Sequence, residues 1–462
     1  MSKNFNLLKN LSVSFALFLL LIQSAAAQNA AAPTNDQITA KVDEYMNAAV
    51  KVESFSGSVL VARDGKPIVS KGYGMANIEL NVPNTPDTVF RLGSVTKQFT
   101  AMAIMMLAER GKLNVNDPAC KFLTDCPATW QPMTIKNLLT HTAGVPNYTD
   151  FPTFAKTTVS PMTTAEMIAL LRDKPLEFAP GEKFAYSNSG YYLLGVIIEK
   201  VSGKTYADFL QENIFTPLGM KQTGYDISAR IIKNRAAGYA RQGGEFVNAS
   251  YMDMTIPYSA GAMYSTTGDL LLWDQALYTE KLVSRKTLDE IFTPYKSNYG
   301  YGWTIGKQFE HREISHGGGI YGFATEISRF PDDKLTVVVL SNVQGAPAGK
   351  VANDLAAIVF GAKYEIPKER KEIAVDAKIL EKYVGDYQLA APKIVLSFSL
   401  ENGRLFGLLA GQTKFALSAE SETVFFSKDA PVQITFTRDA NGQTTGMIFK
   451  QGAAEIPAQK IK

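Results

Sequence analysis

Hydrophobic and polar positions follow different patterns in different parts of the chain. In the segments 39–51, 98–107 and 191–201, apolar residues recur at helical spacing or dominate, which predicts helices. At 57–72 and 300–341, short apolar runs are separated by turn residues, which predicts strands. Strands at both ends with helices between them indicate an α/β (α+β) fold. We expect an antiparallel sheet flanked by helices, with an all-helical insert.

The pattern changes again in the last part of the chain. A charged stretch with one proline at 364–372 is typical of a linker, and only short strand-like runs follow it. Turn signals separate several of these runs: Asn402-Gly403, Gly411 and Asn441-Gly442. This spacing predicts an antiparallel meander or a small all-β barrel.

The overall composition is that of an ordinary globular protein. Of the 462 residues, 46% are hydrophobic and 20% are charged, and the formal net charge is +3. A chain of this length accommodates one large domain and a smaller one. The balanced charge gives no indication of a nucleic-acid or anionic-membrane partner.

Residues 1–27 have the pattern of a secretory signal peptide. Lys3 and Lys9 make the start basic, the apolar run 11–22 is too short to span a bilayer comfortably, and small residues precede Gln28. An uncleaved membrane anchor is the alternative. The pattern predicts an exported protein, periplasmic or secreted, whose mature chain has no stable membrane span.

Two cysteines, Cys120 and Cys126, lie close together in the chain. In an exported protein such a pair predicts one local disulfide. Two reduced, buried thiols are the alternative.

Ser94 and Lys97 are the strongest candidates for chemistry. They lie three residues apart at the start of the helix predicted at 98–107, so their side chains share one face of a largely apolar helix. A buried amine has a lowered pKa and can take the proton of a serine hydroxyl, which is otherwise a poor nucleophile. Backbone N–H groups at a helix start also face any oxyanion formed there. The alternative is an N-cap serine followed by a solvated lysine.

A Ser–Lys pair needs a third group that carries a proton to the leaving group. The segment Tyr186-Ser187-Asn188 supplies candidates. A phenol beside a lysine ammonium and polar groups can have a lowered pKa, so Tyr186 could act as base and acid. Asn188 can hydrogen-bond both Lys97 and a substrate amide. A Tyr and an Asn in an ordinary helix cap are the alternative.

The segment His316-Gly317-Gly318-Gly319 follows an apparent strand at 311–316. Glycines allow a ligand to approach the backbone closely. The alternative is a plain glycine turn.

These motifs, Ser-x-x-Lys, Tyr-x-Asn and His-x-Gly, occur in this order on a helix, a loop and a strand. The combination resembles the serine β-lactamase and penicillin-binding family, which includes class C β-lactamases, D,D-peptidases, D-aminopeptidases and related esterases. The resemblance covers about residues 40–361, including LLTHTAG at 138–144 and GAMYST at 261–266. From residue 380 on, with YVGDY at 383–387, the chain resembles the lipocalin-like β-domain often appended to such enzymes. The expected organisation is a signal peptide (1–27), a β-lactamase-like domain (28–363), a linker (364–374) and an all-β domain (375–462).

The resemblance implies a role for each motif residue. Ser94 would be acylated, and Lys97 and Tyr186 would share general acid–base work. Asn188 would orient the substrate and Lys97. The backbone N–H groups of Ser94 and Gly319 would form the oxyanion hole.

The third motif departs from the family pattern. His316 stands where many relatives have Lys, and Gly317 where they have Thr or Ser, although His316 and Gly318 would still contribute to substrate binding. A hydroxyl and a fixed cation there help to hold the carboxylate of a β-lactam or a peptide. Their replacement weakens the case for efficient β-lactam hydrolysis, although His316 could supply charge below its pKa.

His141 raises the rival hypothesis of a Ser-His hydrolase. The sequence has three histidines and no Gly-x-Ser-x-Gly elbow, which favours a structural role for His141. No His-Glu-x-x-His pattern occurs, so neither a metal nor another cofactor is expected.

We therefore expect an exported serine hydrolase that forms an acyl-enzyme on Ser94. Its substrates would be peptides or amides with D-amino acids, or small esters. The alternatives are a non-catalytic envelope protein that binds peptidoglycan-like peptides, and a weak class C-like β-lactamase. The all-β domain could cover the cleft, bind an apolar ligand or mediate oligomers.

Overall fold

The computed structural model describes residues 33–390, 393–409, 414–428, 432–451 and 454–462. The predicted signal peptide at 1–27 and the turn signal at Gly411 lie outside these residues. Within the described part of the chain, no helix combines the length and the apolar character that crossing a bilayer requires.

A six-stranded antiparallel sheet forms the centre of the larger, N-terminal part. Its strands are β1 (Gly57–Arg63), β2 (Lys66–Tyr73), β3 (Thr304–Gln308), β4 (His311–Ile320), β5 (Phe323–Phe330) and β6 (Leu335–Ser341). They lie in the order β3-β4-β5-β6-β1-β2, so the sheet joins the two ends of this region through β6 and β1. This confirms the predicted antiparallel sheet.

Helices cover both faces of the sheet. The main ones are α1 (Asn35–Val52), α2 (Thr96–Glu109), α3 (Ile135–Leu139), α4 (Thr164–Arg172), α5 (Asn188–Ser202), α6 (Tyr206–Leu210), α7 (Thr267–Ala276), α8 (Arg285–Ile291) and α9 (Ala348–Phe360). Apolar side chains of α1 and α9 form one core against the sheet. The larger core lies on the opposite face and includes α2 and α5. Every residue of α2 from Thr96 to Leu107 is buried, as its apolar sequence predicts.

The glycine segment 317–319 lies inside a strand rather than after one. We predicted that this strand ends at His316, but β4 continues to Ile320 and pairs with β5 across all three glycines. Glycine is depleted in strands, which conceals this extension in the sequence. A Cβ atom on Gly318 would lie 2.0 Å from the Leu92 carbonyl oxygen. The glycine is therefore needed where β4 passes the turn that carries Ser94.

The described residues after 384 form a closed antiparallel barrel of eight strands. They are β7 (Gly385–Leu389), β8 (Val395–Glu401), β9 (Arg404–Leu409), β10 (Phe415–Ala419), β11 (Val424–Phe426), β12 (Val432–Arg438), β13 (Thr444–Gln451) and β14 (Ala454–Lys460). The predicted all-β barrel is confirmed. The sequence pattern missed β7 and β14, the two strands that pair with each other and close the barrel.

Cys120 and Cys126 form a disulfide, which confirms the predicted pairing. Their loop lies between α2 and α3.

Candidate active site

Ser94 lies at the entry to α2, in a single 3₁₀ turn formed by Gly93–Val95. Gly93 has a φ of +54°, and a Cβ there would lie 2.8 Å from the backbone nitrogen of Gly319. Only glycine fits this close approach without strain. The contact brings β4 beside the turn, and Ser94 is its partly exposed residue between buried neighbours.

Lys97 is completely buried and lies one turn along the same helix. Its Nζ atom is 3.0 Å from the Ser94 Oγ atom, 2.8 Å from the Asn188 Oδ1 atom and 2.9 Å from the Ala260 carbonyl oxygen. Burial lowers the pKa of Lys97 well below its usual 10.5. A neutral amine donates two hydrogen bonds and keeps one lone pair. The Asn188 and Ala260 oxygens take the two N–H groups, so the lone pair faces the serine hydroxyl.

Tyr186 lies beside Lys97 and is 37% exposed. Its ring centroid lies 4.9 Å from Lys97 Nζ, and its side chain hydrogen-bonds that of Ser94. We predicted a lowered pKa for this phenol, and that prediction is wrong. Desolvation raises the pKa of Tyr186, and the bond to Ser94 opposes only part of the rise. The expected cause of lowering was a lysine ammonium, but burial favours the neutral form of Lys97. Tyr186 is therefore a protonated phenol at neutral pH.

Asn188 is the first residue of α5, and its side chain connects Lys97 to a neighbouring loop. Its Nδ2 atom donates to the Asn147 Oδ1 atom (3.3 Å) and the Thr149 Oγ1 atom (3.4 Å). Its backbone N–H also donates to Asn147 Oδ1, at 3.0 Å. Sequence reasoning missed Asn147 and Thr149. The signal available was their position directly after the LLTHTAG stretch.

His316 is a buried residue of β4. Its Nδ1 atom lies 2.6 Å from the Gly317 carbonyl oxygen, so Nδ1 carries the hydrogen, and its Nε2 atom accepts from the Tyr299 hydroxyl at 2.8 Å. Burial is the main cause that lowers the pKa of His316 to about 4. The charge that the sequence hypothesis allowed would therefore appear only in acid. At neutral pH this position holds no cation.

Gly319 places its backbone beside Ser94, and a Cβ on it would point into open space. Ser94 and Gly319 both line one cleft, of about 410 Å³. The structure thus brings together Ser94, Lys97, Asn188 and Gly319, with the Tyr186 ring beside Lys97. The oxyanion-hole role of the two backbone N–H groups stays a prediction.

Comparison with known proteins agrees with this geometry. Residues 39–360 match the family model described as Beta-lactamase, and residues 369–460 match a domain of unknown function, DUF3471. The chain belongs to the β-lactamase family. The resemblance stated from the three motifs is thereby confirmed.

Relatives of this β-lactamase family member include penicillin-binding proteins. Penicillin-binding protein 4* of Bacillus subtilis (strain 168) is 32% identical over 427 residues, which cover 87% of this chain and 94% of that protein. The octameric penicillin-binding protein homologue from Pyrococcus abyssi has a TM-score of 0.65 at 26% identity, covering 91% of this chain and 99% of that one. A D-amino acid amidase from Ochrobactrum anthropi SV3 has a TM-score of 0.60 at 24% identity, covering 71% and 97%, and shares the fold.

His141 contacts the loop that carries Tyr186 in this family member. It is buried, has a φ of +55°, and supports the loop that carries Tyr186. Its Nδ1 atom accepts from the Ser187 backbone N–H at 3.1 Å, its carbonyl accepts from Ala185 at 2.9 Å, and its ring centroid lies 4.2 Å from that of Tyr186. These contacts favour the structural role over the Ser-His alternative.

Across the described residues, no three His, Cys, Asp or Glu side chains cluster in a way that could hold a metal ion.

Proposed function

We propose that this β-lactamase-family protein is an exported serine hydrolase that works through an acyl-enzyme on Ser94. Its substrates are D-amino-acid-containing peptides or amides, or small esters. One observation carries the proposal: Lys97 Nζ lies 3.0 Å from Ser94 Oγ, and the Asn188 and Ala260 oxygens lie within hydrogen-bond distance of the same nitrogen. This is the arrangement of a nucleophile and its general base.

The proposed acylation begins with transfer of the Ser94 proton to Lys97 Nζ as Ser94 Oγ attacks the substrate carbonyl carbon. The carbonyl oxygen gains the negative charge, which the N–H groups of Ser94 and Gly319 stabilise. When the bond to the leaving group breaks, the Tyr186 hydroxyl protonates that group and regains a proton from Lys97. The acyl group is then bonded to Ser94, and both proton carriers are back in their starting states.

Deacylation repeats these steps with water as the nucleophile. Lys97 accepts a proton from water as the water oxygen bonds to the acyl carbon. The bond between the acyl carbon and Ser94 Oγ then breaks, and Ser94 Oγ takes that proton back from Lys97. Asn188 holds Lys97 in place throughout through the 2.8 Å contact.

The preference for D-amino-acid amides is supported by the relatives' names, which include penicillin-binding proteins and a D-amino acid amidase. Export is supported by the signal-like segment 1–27. The neutral state of His316 argues against an efficient β-lactamase, because a β-lactam carboxylate would meet no cation there.

Steady-state hydrolysis of a substrate panel tests the proposal. The panel contains D- and L-amino acid amides, a D-Ala-D-Ala peptide, p-nitrophenyl esters and a chromogenic cephalosporin, each measured with wild type and Ser94→Ala. We expect turnover of at least one amide or ester that Ser94→Ala abolishes. Binding of peptides without turnover of any of them would support the non-catalytic alternative.

A further inference from the structure

The cleft beside Ser94 is lined by uncharged residues. Its volume of about 410 Å³ lies in the range of small-molecule sites. None of the described residues that line it is Asp, Glu, Lys, Arg or His. Its walls are mainly apolar, with Phe154, Met252, Ile256, Ile320 and Tyr321 prominent among them.

The apolar wall is packed rather than loose. Met252, Met254 and Ala262 form a small buried cluster, and Phe154 and Tyr321 pack against it. A wall of this kind stabilises an apolar acyl group by removing its surface from water. The same wall offers a charged acyl group neither hydration nor hydrogen bonds.

No counter-ion for an anionic substrate lies at the positions where the motifs would place it. Lys97 is buried and its pKa is lowered, which favours the neutral amine. His316 is held by Tyr299 and by a backbone carbonyl, and its pKa is about 4. None of the described lining residues therefore supplies a cation that could pair with an anion.

We propose that this cleft holds the acyl group of the substrate, and that it selects uncharged, apolar acyl groups and rejects those that carry a carboxylate. This rests on the proposed function, since it names the substrate class of the same site. It narrows the substrates to esters and amides whose acyl group is neutral.

A matched pair of esters tests the selection by charge. p-Nitrophenyl methyl adipate and p-nitrophenyl hydrogen adipate have the same leaving group and acyl length, but only the second is anionic at pH 7.5. We expect kcat/KM to be about 100-fold higher for the methyl ester, because the carboxylate would lose its hydration without gaining a partner. Across acetate, butyrate and hexanoate esters, we expect kcat/KM to rise about fourfold per buried methylene.

Tyr321 offers a variant that adds a cation to the apolar wall. It lines the cleft and is only partly buried, so a long polar side chain can replace it. Tyr321→Arg should raise kcat/KM for the hydrogen adipate ester at least tenfold relative to the methyl ester. Tyr321→Gln, which is polar and uncharged, is the matched control and should leave the ratio of the two esters close to that of wild type.

The outcomes separate this inference from the proposed function. If wild type hydrolyses both adipate esters equally and Ser94→Ala hydrolyses neither, the hydrolase proposal stands and the charge selection is wrong. If wild type hydrolyses no ester and a fluorophosphonate does not label Ser94, both fail. If Tyr321→Arg and Tyr321→Gln change the ratio equally, selection by charge is contradicted.

Discussion

Replacing Lys97 by methionine should abolish most of the activity while leaving the protein folded. Methionine keeps a long unbranched side chain in the buried site but removes the amine that lies 3.0 Å from Ser94 Oγ. General-base catalysis contributes about 10² to 10⁴ in rate. We therefore expect kcat/KM for a p-nitrophenyl ester to fall about 10³-fold, which corresponds to about 4 kcal/mol of transition-state stabilisation.

The effect on stability should be much smaller. Lys97→Met leaves the oxygens of Asn188 and Ala260 without the amine donor, at a cost of about 1 to 3 kcal/mol each if they stay dry. It also removes a buried amine whose lowered pKa shows that burial disfavours its charged form. Since these effects oppose each other, we expect the melting temperature to change by only a few degrees.

The assay measures ester hydrolysis and thermal unfolding for wild type, Lys97→Met and the control Lys112→Met. Lys112 is exposed just beyond the end of α2, so its replacement should change neither quantity. In wild type the acylation rate should rise with pH as Lys97 loses its proton. It should reach a plateau well below pH 10.5, because burial lowers the pKa of this amine. A Lys97→Met variant with more than about a tenth of wild-type activity would refute the general-base role.

Three further replacements probe the supporting structure. His141→Phe should lower kcat about tenfold and reduce stability by about 1 to 3 kcal/mol, because the Ser187 N–H loses its acceptor. His141→Asn should restore part of the activity and part of the stability. Glu326→Gln should flatten the pH dependence of stability. Burial and a neighbouring carboxylate raise the pKa of Glu326 to about 8. The stability of wild type should therefore fall as pH rises from about 4.5 to 8. Thermal unfolding at pH 5 and pH 8 measures this difference. In wild type the buried Arg329 Nε lies 2.8 Å from the Asp274 carboxylate. Asp274→Ala leaves this guanidinium without its partner, so the variant should be less stable by about 3 to 5 kcal/mol in denaturant titrations. Unchanged unfolding curves in any of the three would contradict the corresponding contact.

Much of the fold follows from local patterns in the sequence. The apolar run after Ser94 predicted a buried helix, and α2 is buried on every side from Thr96 to Leu107. The barrel was predicted from short runs and turn residues alone. Its closing strands, Gly385–Leu389 and Ala454–Lys460, were missed because their sequences contain few apolar residues and the second contains a proline.

The candidate site could likewise be predicted only in part from the sequence. Motif spacing predicted that Ser94, Lys97 and Asn188 meet, and they do. Protonation states depend on burial, which is set by distant segments. The sequence could not reveal that Tyr299 binds His316, or that desolvation raises the pKa of Tyr186. These are properties of the assembled cleft rather than of any motif.

Locating the reactive nucleophile on the protein tests the proposed chemistry most directly. Wild type, Ser94→Ala and Lys97→Met would be treated with a fluorophosphonate, digested and mapped by mass spectrometry. We predict one adduct, on the Ser94 peptide in wild type, with none in Ser94→Ala and slow formation in Lys97→Met. An adduct on another residue, or equal labelling of wild type and Ser94→Ala, would contradict a nucleophilic Ser94.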